Sequence, residues 1–423
     1  MAHEQRRRRL PAGLIALRET NFILYVLGQF TSQLGSWIEL TAVSWIVYEM
    51  TDSPVLLGLV GLFRALPTIL LALVGGAIAD RLPRRFLLLC TESIMLSASL
   101  VVGLLAVTGR LEYWHFYILN LTSGTLQAFS VPARHALFAN LVPRSSMVSA
   151  VMLNSVAVRG GGLLGPAIAG IALSYGGYAL PFFLNAASFV AMLLALMLMR
   201  LPARQSRTGA DLPEESWPRR MTEGVAFAWR TPLLRVALCL ELATGLFGQN
   251  SALLTIIVRD VLGAGPEGLG IIMSSLSAGA LLGMVLLVSF HVERHGRLIL
   301  GAGAAYAVVW ALFGFSHSLW WSAALAVALG TIDSISGVMR NSVAQLLVPD
   351  ALRGRVMSVV MLVTRGSSQL GRVQSGFIVG LIGAQPTVLL GAGVVGAALL
   401  ASMRLRLPEK STSEGAEKAE AYE

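Results

Sequence analysis

Three carboxylic acids stand where the surrounding sequence is almost wholly apolar: Glu39 within residues 22–49, Glu241 within 233–258 and Asp333 within 319–343. A carboxyl held in a low-dielectric site changes its protonation as its access to water changes, which suits such a residue to carry a proton. Asp333, near the middle of its run, is the first choice for that carrier, with Glu39 and Glu241 as partners or as ligands for a cationic group. The opposing reading pairs these acids with Arg64, Arg159, Arg365 or Arg372, so that they do no more than neutralise buried charge. The same arginines could instead favour an anionic ligand such as a catecholate, and the sequence leaves the sign of the ligand's charge open.

Other chemistries find less support. His291 and His295 are four apart, a spacing that can hold a metal, but no third ligand lies nearby, and no metal site is expected. Gly160-Gly161-Gly162 falls inside an apolar run without the Lys-Ser/Thr that nucleotide binding needs, so neither ATP nor another cofactor is expected. The six histidines stand mostly at the ends of apolar runs, and no nucleophile and base share one depth, which argues against an enzyme.

The elements that must position the acids are membrane spans. Hydrophobic residues make up 55% of the 423 and charged residues 13%, against about 25% in soluble domains, and mean hydropathy is +0.70. Runs of about 20 apolar residues, enough to cross a bilayer, fall at roughly 22–49, 55–79, 86–108, 112–134, 148–173, 178–200, 233–258, 267–291, 297–316, 319–343, 356–382 and 385–404. The net charge of +9 is not a nucleic-acid surface: arginines such as Arg6 to Arg9, Arg219, Arg220, Arg353 and Arg355 fall in connections on one side of the spans. The positive-inside rule then puts both termini in the cytoplasm. The basic start ahead of Leu10-Pro11 lacks a small-residue cleavage site and is expected to be retained.

The chain is also written twice. Shifted by 206 positions without a gap, Gly124 meets Gly330, Arg134 meets Arg340, Leu141-Val142-Pro143 meets Leu347-Val348-Pro349, Arg159-Gly160 meets Arg365-Gly366, and Gly165 meets Gly371. Transporters are commonly built from such repeated halves, with the substrate site between them. The expected division is a basic N-terminal segment (1–21), a six-helix bundle (22–200), a linker with an amphipathic helix at 221–230 (201–232), a second six-helix bundle (233–404) and a disordered tail (405–423). Repeated positions read as scaffold. Asp333 meets Gln127, and neither Glu39 nor Glu241 has an acidic mate, so function is expected where the halves differ.

Gly76-Ala77-Ile78-Ala79-Asp80-Arg81-Leu82-Pro83-Arg84-Arg85 resembles the loop signature of the major facilitator superfamily, with Pro83 in place of the usual Gly, and Glu293-Arg294-His295-Gly296-Arg297 is a worn second copy. The resemblance implies a latch that holds one access state, in which an acid pairs with a helix N-terminus. Gly161, Gly165, Pro166 and Gly170 fit part of a pattern associated with facilitator antiporters, and also fit plain close packing of helices. Arg64-Ala65-Leu66-Pro67, Pro132-Ala133-Arg134 and Arg353-Gly354-Arg355-Val356-Met357-Ser358 are similar to the exporter branch that includes the enterobactin exporter and macrolide-efflux proteins.

This resemblance spans roughly residues 20–405 and implies an all-α polytopic fold of twelve transmembrane helices in two pseudo-symmetric six-helix bundles. It also implies that spans one, four, seven and ten line a central cavity. The acids would then face that cavity together with Gln33 and Trp37 on span one, Gln127 on span four and Asn250 on span seven. The expected protein is a multi-pass transporter of the cell membrane, a monomer that exports a small organic molecule, drug-like or siderophore, with the proton gradient as its energy source. Proton-coupled uptake is the alternative, and a membrane enzyme or a sensor follows at a distance.

Overall fold

The computed structural model describes residues 12–200, 217–289 and 295–403, so Glu293, Arg294 and His291 lie outside it, as do the tail, the first half of the linker and residues 1–11 of the basic N-terminal segment. Among the described residues all regular structure is helical. The first half holds α1 (Thr20–Thr51), α2 (Pro54–Arg81), α3 (Arg84–Val107), α4 (Tyr113–Phe138), α5 (Met147–Gly176) and α6 (Ala179–Leu198). After α7 (Trp217–Arg230), the second half holds α8 (Pro232–Phe247), α9 (Ser251–Ile256), α10 (Pro266–Ser289), α11 (His295–Gly314), α12 (Leu319–Leu347), α13 (Asp350–Ile382) and α14 (Ala384–Met403).

With α8 and α9 counted as one broken span, helices occupy all twelve expected runs. By length and composition alone, seven described helices can cross a membrane, or eight with the bent pair formed by α7 and the segment Pro232–Val261. Others, α1 and α13 among them, carry more polar side chains. The solvent is legible on the surface: Leu70, Val107, Leu198 and Leu381 are each more than 60% exposed, as side chains facing lipid tails are.

The chain forms two compact units, residues 1–46 with 66–210 and residues 47–65 with 211–423. The tip of the first hairpin, expected in the first bundle, thus belongs with the second half. Its contacts explain this. Arg259 pairs with Asp52 at 2.6 Å, donates to the Tyr48 carbonyl at 3.1 Å and stands 5.0 Å over the Tyr48 ring, while the Tyr48 hydroxyl donates to Asp260. Further along, Gly58 lets α2 press on α13: a Cβ there would come 3.1 Å from the Arg372 carbonyl and from Gly376 Cα.

Glycines set the packing inside each unit, and the duplication shows in how they do it. In the first unit a Cβ on Gly161 would come 2.9 Å from the Leu34 amide nitrogen and one on Gly165 2.9 Å from the Leu34 carbonyl, so α5 lies backbone to backbone on α1. In the second unit Gly371, the mate of Gly165, meets the Leu246 carbonyl of α8 at 3.0 Å in the same test. Thr68 of α2 donates to the Gly124 carbonyl of α4 at 3.0 Å, and Thr331 of α12 donates to the Gly279 carbonyl of α10 at the same distance. Pro166 sits inside a continuous α5, and Gly170 is buried there. Ahead of α1, residues Ala12–Arg18 form a short 3-10 helix whose Ala16 amide donates to Ser149 of α5. The linker helix α7 docks on α13, where Glu223 pairs with Arg355.

Close packing of this kind leaves no room for a larger side chain. Gly165→Leu should destabilise the protein by about 1–3 kcal/mol, seen as a lower melting temperature in detergent. Gly301→Ala, at a position with no atom within 4 Å of the added carbon, should melt as the parent does.

Candidate functional site

On α12, Asp333, Ser336, Gly337 and Arg340 recur at the three- and four-residue spacing that puts side chains on one face of a helix. Arg340 forms an ion pair with Glu241 of α8, and its Nη1 donates to the Ser336 hydroxyl at 2.7 Å. Glu241 is buried and Arg340 partly so, with side chains 8% and 11% exposed. Asp333 is half-buried two turns from Arg340 along the helix, close enough to act electrostatically on Glu241 and on the Tyr306 hydroxyl of α11. A cavity of about 60 Å³ is lined by Glu241, Arg340, Asn341 and Thr364, which gives water room beside the pair. A second acid therefore acts on the carboxylate that holds the Arg340 guanidinium.

The first unit holds the duplicate of this arginine in different hands. Arg134 of α4 pairs with Glu92 of α3, and its Nη1 donates to the Gln29 side-chain oxygen of α1 at 2.7 Å. Glu92 is a buried, membrane-embedded acid that belongs with Glu39, Glu241 and Asp333, and the sequence reading passes over it. The signal was present in an acid inside the apolar run 86–108. Where α12 has Asp333, α4 has Gln127, a half-buried side chain that cannot titrate.

The other expected site residues separate. Glu39 is not on a wet face: it is buried, and the Asn185 amide of α6 donates to its carboxylate at 2.5 Å while also reaching Ser99 of α3. Gln33 and Trp37 are half-buried on α1, where the glycines of α5 press on them. Asn250 has a structural task. Span seven, expected as one helix, breaks after Phe247, and Asn250 caps α9 by accepting the Leu253 amide while donating to Ser375 of α13 at 2.8 Å. Helix α11 serves the same break: Trp310 donates to the Phe247 carbonyl, and the Tyr306 hydroxyl accepts the Gln249 amide. Backbone groups freed in a membrane must find such partners.

The expected latch also divides. Gly76 has open space around it, and Arg81 is exposed. Arg84 donates to the Ala136 carbonyl near the end of α4, and Arg85 to the Met197 and Met199 carbonyls at the end of α6. These two arginines therefore cap helix C-termini, where cations are favoured, and tie α3 to its neighbours within the first unit. Of Asp80 and Arg297 only the backbone is described; they close α2 and open α11 respectively.

A family model described as a transmembrane secretion effector matches residues 12–422. The multidrug efflux pump Tap of Mycolicibacterium fortuitum is 26% identical over 382 residues, covering 87% of this chain and 91% of that protein. The enterobactin exporter EntS of Shigella flexneri is 25% identical over 333 residues, covering 78% of this chain and 76% of that protein. Among solved structures, the nucleoside transporter NupG matches with a TM-score of 0.69 at 14% identity, over 91% of this chain and 98% of that one, a likeness of fold.

The buried pairs can be tested by stability. Removing one partner of such a pair costs about 3–5 kcal/mol, because the other is left charged in a dry site. Glu92→Ala should therefore lower the unfolding midpoint in detergent sharply. The double change Glu92→Ala with Arg134→Met should recover a large part of the loss.

Proposed function

Given that the chain belongs to the transmembrane secretion effector family of the major facilitator superfamily, we propose that it exports a small organic molecule by alternating access, in exchange for protons. Members of this family are transporters rather than enzymes. The relatives named as an efflux pump and an exporter support the outward direction. In this reading the protein works as a monomer in the cell membrane with both termini in the cytoplasm, the side on which most connecting arginines fall. The proton gradient is its energy source, and no cofactor takes part.

One observation carries the coupling: in the second unit Asp333 acts on Glu241, the carboxylate that pairs with Arg340, whereas the position on α4 that duplicates Asp333 holds Gln127. When a proton reaches Asp333, Glu241 is relieved of a like charge and holds Arg340 undisturbed. When the proton leaves, the two acids repel each other beside one cation, and the balance of charge beside the cavity changes. A site whose charge depends on its water access is what proton exchange requires. Asp333 is the carrier and Glu241 its partner. Glu39, held by Asn185, tunes the first unit and does not shuttle, and Gln127 is the uncharged counterpart of Asp333 across the duplication. Asp80 at the end of α2 keeps the part of a latch, with Arg84 and Arg85 securing its loop.

The test is proton release in everted vesicles with an acidic lumen, on adding ethidium, a macrolide or a catecholate. At least one should release protons in the parent, and Asp333→Asn should abolish that release. Release at the parent level in Asp333→Asn would remove Asp333 from the mechanism. Direction is read in whole cells: expression should lower retention of the same compound, and higher retention than in the empty host would make the protein an importer.

A further inference from the structure

We propose that the small cavity beside Glu241 is a water inlet that opens only toward the side of the membrane holding α7, the cytoplasm in the reading above, and that Asn341 of α12 and Thr364 of α13 are the polar groups that hold its water. This rests on reading the chain as a proton-coupled transporter, and it adds the face at which the proton is given up.

Three helix ends fix the side. Helix α12 ends at Leu347 and α13 begins at Asp350, with only Val348 and Pro349 between them, so those ends lie together. Helix α7 docks on the beginning of α13: Glu223 pairs with Arg355, and a Cβ on Gly224 would come 2.8 Å from the Arg355 carbonyl. Only Thr231 separates α7 from α8, so the start of α8 lies at the same end of the unit. Glu241 is nine residues into α8, 241 less 232, roughly 14 Å from that end at about 1.5 Å per residue. The cavity lies on this side of it. Its lining runs back along α8 from Glu241 to Leu234, close to the helix start, and takes in Asn341 of α12 and Val360 and Thr364 of α13.

Toward the other end the unit is closed. One turn past Glu241, a Cβ on Gly245 would run into the Ser367 side chain of α13, and one on Gly371 would run into the Gly245 carbonyl. Backbone therefore lies close on backbone there, which leaves no gap for water between α8 and α13. The lining itself is also sided. Leu234, Leu238 and Val360 are buried and form an apolar wall, while Asn341 and Thr364 are exposed. A polar side chain exposed within a membrane span borders water rather than lipid, where its groups would go unsatisfied. Ser358, Arg365 and Ser368 are exposed on the same stretch of α13. A volume of about 60 Å³ holds more than one water between these polar groups and the Glu241 carboxylate. Asp333 lies on the far side of Arg340 from this end of α12 and acts on Glu241. A proton that leaves the Asp333 carboxyl passes to the Glu241 carboxylate, then from the Glu241 carboxyl to a cavity water, which carries it out past Asn341. Glu241 is left as the carboxylate that Arg340 holds.

Sided thiol labelling of the full-length protein tests this, with Cys90 and Cys239 replaced by alanine and single cysteines introduced one at a time. The probe is silver ion, small enough for the cavity, applied to right-side-out and to everted membrane vesicles in chloride-free buffer. Reacted thiols are read as loss of labelling by a fluorescent maleimide added after denaturation. Thr222→Cys, exposed on α7, marks the side on which α7 lies. Asn341→Cys, Thr364→Cys and Leu238→Cys should react about tenfold or more faster from that side than from the other, the ratio given by a barrier difference of about 1.4 kcal/mol. Ser367→Cys, past Glu241, should be slow from both. Reaction of the three from the opposite face, at equal rates from both faces or from neither overturns the proposal, as does a Ser367→Cys thiol as reactive as theirs. Asn341→Cys and Thr364→Cys stand at exposed positions and keep the test decisive should Leu238→Cys fail to fold. The labelling needs neither substrate nor a proton gradient, so a failure of the inlet and a failure of proton coupling through Asp333 give different results.

Discussion

An arginine set into hydrocarbon has to be neutralised where it lies, and the rest of this fold is arranged around that demand. The duplicated arginines on α4 and α12 anchor each unit at the same register, so the helices around them must deliver an acid or an amide to one fixed point. The first unit does so with Glu92 and Gln29, from α3 and α1. The second does so with Glu241, from α8. The glycine contacts that bring α1 onto α5 and α8 onto α13 are what put those helices within reach. Scaffold and chemistry are therefore not separable: the repeated arginine is architecture in both units, while the groups that satisfy it differ in whether a neighbouring acid competes for it.

That difference bears on how much of the site was legible in the sequence. The apolar runs and the register of 206 positions forecast the helices and their duplication, because lipid permits few other spanning structures for such a chain. The asymmetry between Asp333 and Gln127 was legible too. Hidden were the partners, since which side chain meets Arg340 depends on a crossing of α8 and α12 that no local pattern encodes. The break in span seven was hidden for the same reason: Gly248, Gln249 and Asn250 read as tolerable inside a helix until Trp310 and Tyr306 are seen to take over the freed backbone groups. Glu92 is a different case, visible as a charged residue inside an apolar run and given meaning by Arg134.

The polar groups of the membrane interior thus sort by how completely they are satisfied. Asn250, Asn185, Trp310 and the arginines of the loop after α2 have defined tasks in holding helix ends and breaks. Arg340 has Glu241 and the Ser336 hydroxyl as partners, and a second acid acts on Glu241. Arg372 has an amide on one nitrogen, a like charge beside it and a buried nitrogen that bonds to nothing. A gradient from closed to open valence runs through the second unit, and the least satisfied groups are those best placed to meet a solute.

The hairpin whose tip belongs to the second unit gives α1 and α2 an unequal mechanical share. Each crosses from one unit to the other, α1 between Ile46 and Val47 and α2 between Ala65 and Leu66. At its crossing α1 runs through Trp45, Ile46, Val47 and Tyr48, all buried and without a break in the helix. Helix α2 carries Pro67 two residues past its crossing, and a proline gives up the hydrogen bond that would stiffen that turn. Bending of α2 is therefore easiest in the turn before Pro67, immediately beside Arg64.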